Sequence, residues 1–197
     1  MRYDPKHKAQ TRSRIVESAA RAIRSSGPER LGVSDVMASV GLTHGGFYAH
    51  FPSKDALVTE AVDAMFGDAR RRAGLDAAMV DDPAEARAAF RAYLASYLSP
   101  QHRDHAGRGC PLPALAADMA RGEGDAQRRF AKGIADMTAR IASVLDRLGI
   151  PDADVQAVAV VAQMAGAVGL ARAVGKGAQS DAILHDVFTT LCTRLDL

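Results

Sequence analysis

Apolar residues recur at helical spacing along almost the whole chain. Ile15, Ala19, Ala22 and Ile23 share one face of a segment from Thr11 to Ser25. Val33, Val36, Met37 and Val40 fall at i, i+3, i+4 and i+7, the stripe of an amphipathic helix. Leu57, Ala61, Ala64 and Met65 repeat the pattern after Ser53. Further helices are predicted from Pro83 to Tyr97 or Leu98, Cys110 to about Gly122, Asp125 to Leu148, Asp152 to Val174 and Ser180 to Leu195. The breaks carry glycine or proline, as in Ser-Ser-Gly-Pro at 25–28, Gly149-Ile150-Pro151 and Gly175-Lys176-Gly177; both residues resist continuing a helix. Met1 to Gln10, with Arg2, Lys6, His7 and Lys8, reads as a mobile polar arm, and Ser99 to Gly109 as a polar loop. No run alternates β-branched residues between turn signals, so the expected fold is all-α with about nine helices.

The segment from 41 to 55 breaks this monotony. Gly41 supplies the positive φ of a tight helix-to-helix turn, Leu42 packs inward, and Thr43 caps a third helix ending near Phe51. Phe47 and Phe51, four apart, lock that short helix onto the first two. Thr43, His44, Gly46 and the flanks of Tyr48 and His50 are left outward. Ser53 caps the next helix, and with Lys54 it stands where free backbone N–H groups and a lysine both meet a phosphate. Helix, glycine turn and short helix make the helix-turn-helix arrangement, whose second helix enters the major groove. A three-helix corner with a phenylalanine core and no nucleic acid has the same local pattern. Charge favours the first reading: residues 1–58 hold nine Lys/Arg against five Asp/Glu, and the remainder sixteen against eighteen. A basic head on a mildly acidic body suits a polyanion partner at one end.

The full string Gly-Leu-Thr-His-Gly-Gly-Phe-Tyr-Ala-His-Phe-Pro-Ser-Lys-Asp-Ala-Leu closely resembles the DNA-binding signature of the TetR/AcrR family of transcriptional regulators. The resemblance covers residues 11–58; the body fits in helix count and length. It implies a DNA-binding head at 1–58, a ligand-binding and dimerisation body at 59–197, a fourth helix linking them, and a homodimer. Carried over by position, Tyr48, His50 and Lys54 match the family's phosphate and groove-edge contacts. Thr43, His44 and Gly45 open the recognition helix, and Ser34 lies where the second helix touches the DNA backbone. Two departures stand out. Gly32 replaces the usual Ser or Thr cap of the second helix, and Gly45 and Gly46 remove two potential base readers. Sequence choice is therefore expected to rest on Thr43, His44, Tyr48 and DNA shape.

In the body, Ala157, Val160, Val161, Met164, Ala165 and Val168 form a small apolar face, with Ile183, Val187, Leu191 and Leu195 on the last helix. Each residue suits an ordinary core helix equally, and the resemblance turns the pair into a four-helix dimer interface. Met65, Met79, Phe90, Tyr93, Tyr97, Met119, Phe130 and Met137 are the apolar candidates for an effector pocket or for plain core.

Cys110 precedes Pro111, which suits a first helical position; an N-cap near Arg108 would lower its thiol pKa. Gly109-Cys110-Pro111-Leu112 also looks like a feature of family members that sense electrophiles or oxidants, whereas a small buried cysteine is the plain reading. Cys192 reads as packing. His102, His105 and Cys110 lack the fourth ligand and CxxC pair of a structural metal site, so no metal or cofactor is expected. Arg70-Arg71-Arg72 and Arg128-Arg129 read as solvated faces. The stretch 155–173 is interrupted by Gln156, Gln163 and Arg172 and makes a weak membrane span, so no membrane partner is expected. No nucleophile with its base, carboxylate pair or metal cluster marks an enzyme.

The expected protein is a cytoplasmic homodimeric regulator of a double-stranded, palindromic operator. A repressor released by a small-molecule effector of unknown identity, or by modification of Cys110, is the leading form; a ligand-dependent activator is the alternative.

Overall fold

The computed structural model describes residues 5–197. Among them are nine α-helices and three short 3-10 segments, and no strand. The α-helices are α1 (Pro5–Ser26), α2 (Val33–Ser39), α3 (Lys54–Ala73), α4 (Pro83–Tyr97), α5 (Pro100–Asp104), α6 (Leu112–Arg121), α7 (Asp125–Arg147), α8 (Ala153–Ala173) and α9 (Ala178–Leu195). The 3-10 segments are His44–Ala49, Leu75–Ala78 and Ala106–Arg108.

The head forms where α1 and α3 lie face to face with α2 and the 44–49 segment packed beside them. Ile15, Ala19 and Ile23 of α1, Met37 of α2 and Leu57 and Ala61 of α3 are completely buried there. Gly41 takes φ +78°, and the turn closes with Gly41 N–H donating to Ala38 O at 3.0 Å and Leu42 N–H to Met37 O at 2.9 Å. That paired return to the last carbonyls ends α2 and aims the chain back across the head.

Three sequence expectations change. The polar stretch read as an arm is helical from Pro5 onward: proline is tolerated in a first turn, and a fully exposed turn has no apolar stripe to show. Arg2 lies outside the described residues. The loop read from Ser99 to Gly109 contains α5, opened by Ser99, whose Oγ accepts from His102 N–H at 3.1 Å, and by Pro100 behind it. Finally, the recognition segment is a 3-10 helix, and Thr43 supplies no side-chain cap to it. Six residues that include two glycines have too little helix propensity to hold an α-helix.

In the body, α7, α8 and α9 pack side by side and α3 runs along α7. One hydrophobic core therefore continues from head to body, with α3 crossing residue 58 unbroken.

Candidate nucleic-acid interface and ligand cavity

The recognition segment is held from beneath. Phe47 and Phe51 are 1% and 0% exposed, with their rings stacked at 5.7 Å. Arg12 of α1 places its guanidinium 4.1 Å from the centre of the Phe51 ring, donates to the His50 carbonyl and pairs with Glu60. Nothing local in the sequence marks Arg12 for this work, because its partners lie 38 and 48 residues away.

Above this base Thr43, His44 and Gly45 are exposed, as is Tyr48 at 68%. Ser34 and His44 are joined by a 3.0 Å hydrogen bond between Oγ and Nδ1, and His44 meets the Tyr48 ring edge-on at 6.4 Å. The bond at Nδ1 orients the imidazole and leaves Nε2 for an outside partner. Ser34, His44 and Tyr48 thus form one outward cluster.

Other expected contacts are already engaged. Ser53 caps α3, its Oγ accepting from Ala56 N–H at 3.1 Å. The Lys54 ammonium donates to the Glu29 carbonyl at 2.9 Å, so a phosphate would have to share it. His50 is half-buried, and its Nδ1 has no partner. Burial, then Lys8 and Arg12, lower its pKa; the ring is neutral near pH 7 and can offer a phosphate no charge. Gly46 was expected outward but is half-buried, and a Cβ there would lie 3.7 Å from the Met37 methyl. Gly45 has open space, so of the two glycines it alone leaves a reading position empty. At Gly32 α2 begins without a side-chain cap. A Cβ at Gly32 would sit 2.5 Å from Asp35 Oδ2, so the carboxylate occupies the space a capping side chain would need.

A cavity of about 620 Å³ opens among α3, α4, α7 and the chain from Ser99 to Cys110. Tyr93, Tyr97, Met137 and Cys110 line it. Met65, Phe90, Met119 and Phe130 do not; they are buried core at 0–6% exposure, and Met79 is surface at 39%. Phe66, overlooked in the sequence, belongs to the wall. Its ring lies where a side chain at Gly133 would be and meets Phe130 edge-on at 5.5 Å.

Cys110 sits in this wall, but not as expected. Pro111 takes the N-cap position and α6 starts at Leu112. The thiol is buried, and burial raises its pKa against the opposing pull of the Tyr97 hydroxyl, the Leu112 N–H, Arg24 and Arg172. Desolvation of the thiolate outweighs every favourable charge nearby. Cys192 is buried as expected.

His102 fixes the backbone of Cys110. Its Nε2 accepts from Cys110 N–H at 3.0 Å, so Nδ1 carries the proton that reaches Tyr97 O at 2.7 Å. Burial lowers its pKa and keeps that neutral form. Both nitrogens are occupied, and among the described residues no group of three ligands could hold a metal. Gly109 permits the arrangement, since a Cβ there would be 2.6 Å from His102 Nε2.

Arg24 ties the cavity to the head. It leaves α1 with 3% of its side chain exposed and donates to Met65 O at 3.2 Å and Gly107 O at 3.4 Å. Asp68 lies 3.6 Å away. One guanidinium thus joins α1, α3 and the 3-10 turn just before Cys110.

The residues expected at a dimer face divide differently. Val160, Val161, Met164, Val168 and Leu191 are 0–5% exposed within the single chain, and Ile183 and Val187 are half-buried. The outer strip of α8 carries Val155 at 69%, Val158 at 60%, Leu170 at 60% and Val174 at 45% exposure, with Ala162 and Gly166 exposed between them. A helix apolar on all sides hides from the sequence which side is core. α8 is also long and apolar enough to cross a bilayer, at mean hydropathy 1.5; its buried side is packed between α7 and α9.

Residues 15–61 match the family model for bacterial regulatory proteins of the tetR family. An uncharacterised HTH-type transcriptional regulator of Mycobacterium tuberculosis is 33% identical over 144 residues, covering 69% of this chain. The chain spans 64% of the length of that relative. A TetR transcriptional regulator of Chloroflexus aurantiacus superposes with TM-score 0.80 at 29% identity, over 97% of this chain and 96% of that one. The reduced form of E. coli NemR shares the fold, with TM-score 0.78 and 18% identity over 93% and 96% of the two chains. The match over the head and the superposition over nearly the whole helical fold agree, and the chain belongs to the TetR/AcrR family of transcriptional regulators.

Proposed function

We propose that the chain is a ligand-responsive repressor that acts as a cytoplasmic homodimer on a palindromic operator. The head, residues 1–58, lays the 44–49 segment in the major groove; Thr43, His44 and Tyr48 meet base edges and groove walls, while Ser34, Ser53 and Lys54 meet phosphates. The body, residues 59–197, carries the effector cavity, and two bodies join through the outer strip of α8 and the adjoining face of α9. The apolar Val155–Val158–Leu170–Val174 strip supports that pairing, since such a patch seeks cover.

The single observation that carries the reading of response is Arg24. It fastens α1 of the head to Gly107, in the turn next to the cavity-lining Arg108, and to α3 at Met65. An effector that shifts the 106–108 turn or α3 changes how the head is held. Two heads must meet grooves about one helical turn apart, so a displacement of a few ångströms releases the DNA. Cys110, in the same wall, is the alternative input, and a reagent would reach its thiol only through the cavity.

Fluorescence anisotropy with the DNA upstream of the gene tests the proposal. Salt-sensitive, sequence-selective binding is expected, and His44→Ala should weaken it about 10-fold by removing one base-edge contact. Equal affinity for scrambled DNA would defeat the reading. Unchanged binding by His44→Ala would remove that residue from base recognition.

A further inference from the structure

The cavity wall has a marked charge imbalance. Six Lys/Arg side chains line it against two Asp. Both acids are taken, Asp63 by Arg129 at 3.3 Å and Asp136 by Lys132 at 2.5 Å. Arg140 is held by Asp76 and Arg72 by Asp68. Among the described residues, Arg70 and Arg108 have no carboxylate partner, and both are exposed at the cavity.

The inner end has the same bias. The Tyr97 hydroxyl is buried against the Cys110 thiol and has no oxygen or nitrogen partner. Arg172 lies behind that wall and gives Nε and Nη2 to the carbonyls of Arg103 and His102 at 3.0 and 3.1 Å. Its Nη1 is buried and unpartnered, and no carboxylate pairs with it. Buried polar groups nearly always find a strong partner, and a thiol is a weak one, so a hydroxyl in a cavity wall with only a thiol beside it marks a place for a ligand atom. Between rim and inner end the wall is apolar, with Phe66, Leu75, Tyr93 and Met137.

We propose that the effector of this cavity is an anionic amphiphile: a carboxylate on an apolar body, with the Tyr97 hydroxyl donating to a ligand oxygen and the unpaired arginines supplying the countercharge. The proposal rests on the reading of the chain as an effector-responsive regulator and narrows the ligand's chemistry. A space of about 620 Å³ is in the range of drug-sized ligand sites. Cationic amphiphiles are disfavoured, because the wall offers them no free carboxylate and a net positive field. Aliphatic and aromatic acids share the recognised chemistry, and the choice between them belongs to the shape of the Phe66–Tyr93 wall.

Calorimetry on the full chain tests this with decanoate and 4-tert-butylbenzoate, their uncharged amides, and decyltrimethylammonium. At least one carboxylate should bind at least ~10-fold more tightly than its amide, the scale of one charge-assisted contact, and the ammonium should bind more weakly than either. The fatty or the aromatic acid winning identifies the body. Arg70→Ala with Arg108→Ala, both surface changes, should erase most of the carboxylate preference. Tyr97→Phe should reduce it with the fold retained. Equal or tighter binding of an amide or the ammonium, failure of both carboxylates to bind at millimolar concentration, or a preference untouched by all three substitutions overturns the proposal. Failure of the regulator reading would appear separately, as no sequence-selective DNA binding by the unliganded protein.

Discussion

Aromatic side chains organise both functional regions, to opposite ends. Under the recognition segment Phe47 and Phe51 are fully packed, stacked on each other and covered by Arg12. In the body Phe66, Tyr93 and Tyr97 face about 620 Å³ of open space. Under the proposed function, filling space fixes the segment meant to match a groove, and leaving it open gives the body room to answer a ligand. Arg24 joins the two, a side chain of the head whose buried guanidinium holds two carbonyls of the body.

The largest expected effect comes from breaking the packed side. Phe51→Ala should cost ~3–5 kcal/mol, as for other buried aromatic truncations, and abolish operator binding. Chemical denaturation followed by a body-located probe should then show the body surviving after the head has melted; a single unchanged transition would mean the head is less dependent on Phe51 than its burial implies. Arg24→Met should cost less, ~1–3 kcal/mol, because it leaves the Gly107 carbonyl without its donor and takes a second donor from the Met65 carbonyl. It should uncouple the two regions, so that ligand still binds but no longer releases DNA. Intact ligand-driven release in that variant would place the coupling elsewhere.

A smaller effect sharpens the contrast through pH. His50 under the head and His102 at the cavity both have pKa values lowered by burial. Each folded ring resists a proton that the unfolded chain accepts below about pH 6.5. The unfolded state therefore binds more protons, and stability falls as pH drops through that value. The melting temperature should decline between pH 7.5 and 5.5, and His102→Gln should flatten that decline. An unaltered slope would assign it to His50 or to carboxylates.

The head was legible in the sequence because its signals are local: a Gly41 turn, phenylalanines four apart, and a Ser53 cap all fall within 13 residues. The 3-10 geometry of 44–49 was less visible, since short α and 3-10 segments share the same near spacing. The body was legible as helices, but its working surfaces were not. α8 is apolar on every side, so the core set of Val160, Met164 and Val168 looked like an interface while Val155 and Leu170 carry the exposed strip. Of the cavity wall the apolar pattern reveals only Tyr93, Tyr97 and Met137, because six of the other lining residues are Lys or Arg, which in sequence resemble solvated faces. Pro111 reveals a helix start near Cys110, but the cap falls on Pro111 rather than on Cys110, and only three dimensions reveal that burial outweighs the charges around the thiol.

Gly133 has a consequence for how this regulator can change over generations. Its absent side chain is the seat of the Phe66 ring, and a Cβ would collide with that ring. Every glycine codon is a single base change from an alanine codon, so the added methyl is always within immediate mutational reach. It would push Phe66 toward the cavity and place the protein's own ring where the proposed effector would sit. If the proposed effector response holds, blindness to the signal, or permanent response without it, is therefore one nucleotide away. Acquiring a new operator asks for more: a side chain at open Gly45, and changes at His44 or Tyr48 to go with it. The lineage can lose or fix its switch more readily than it can change its address.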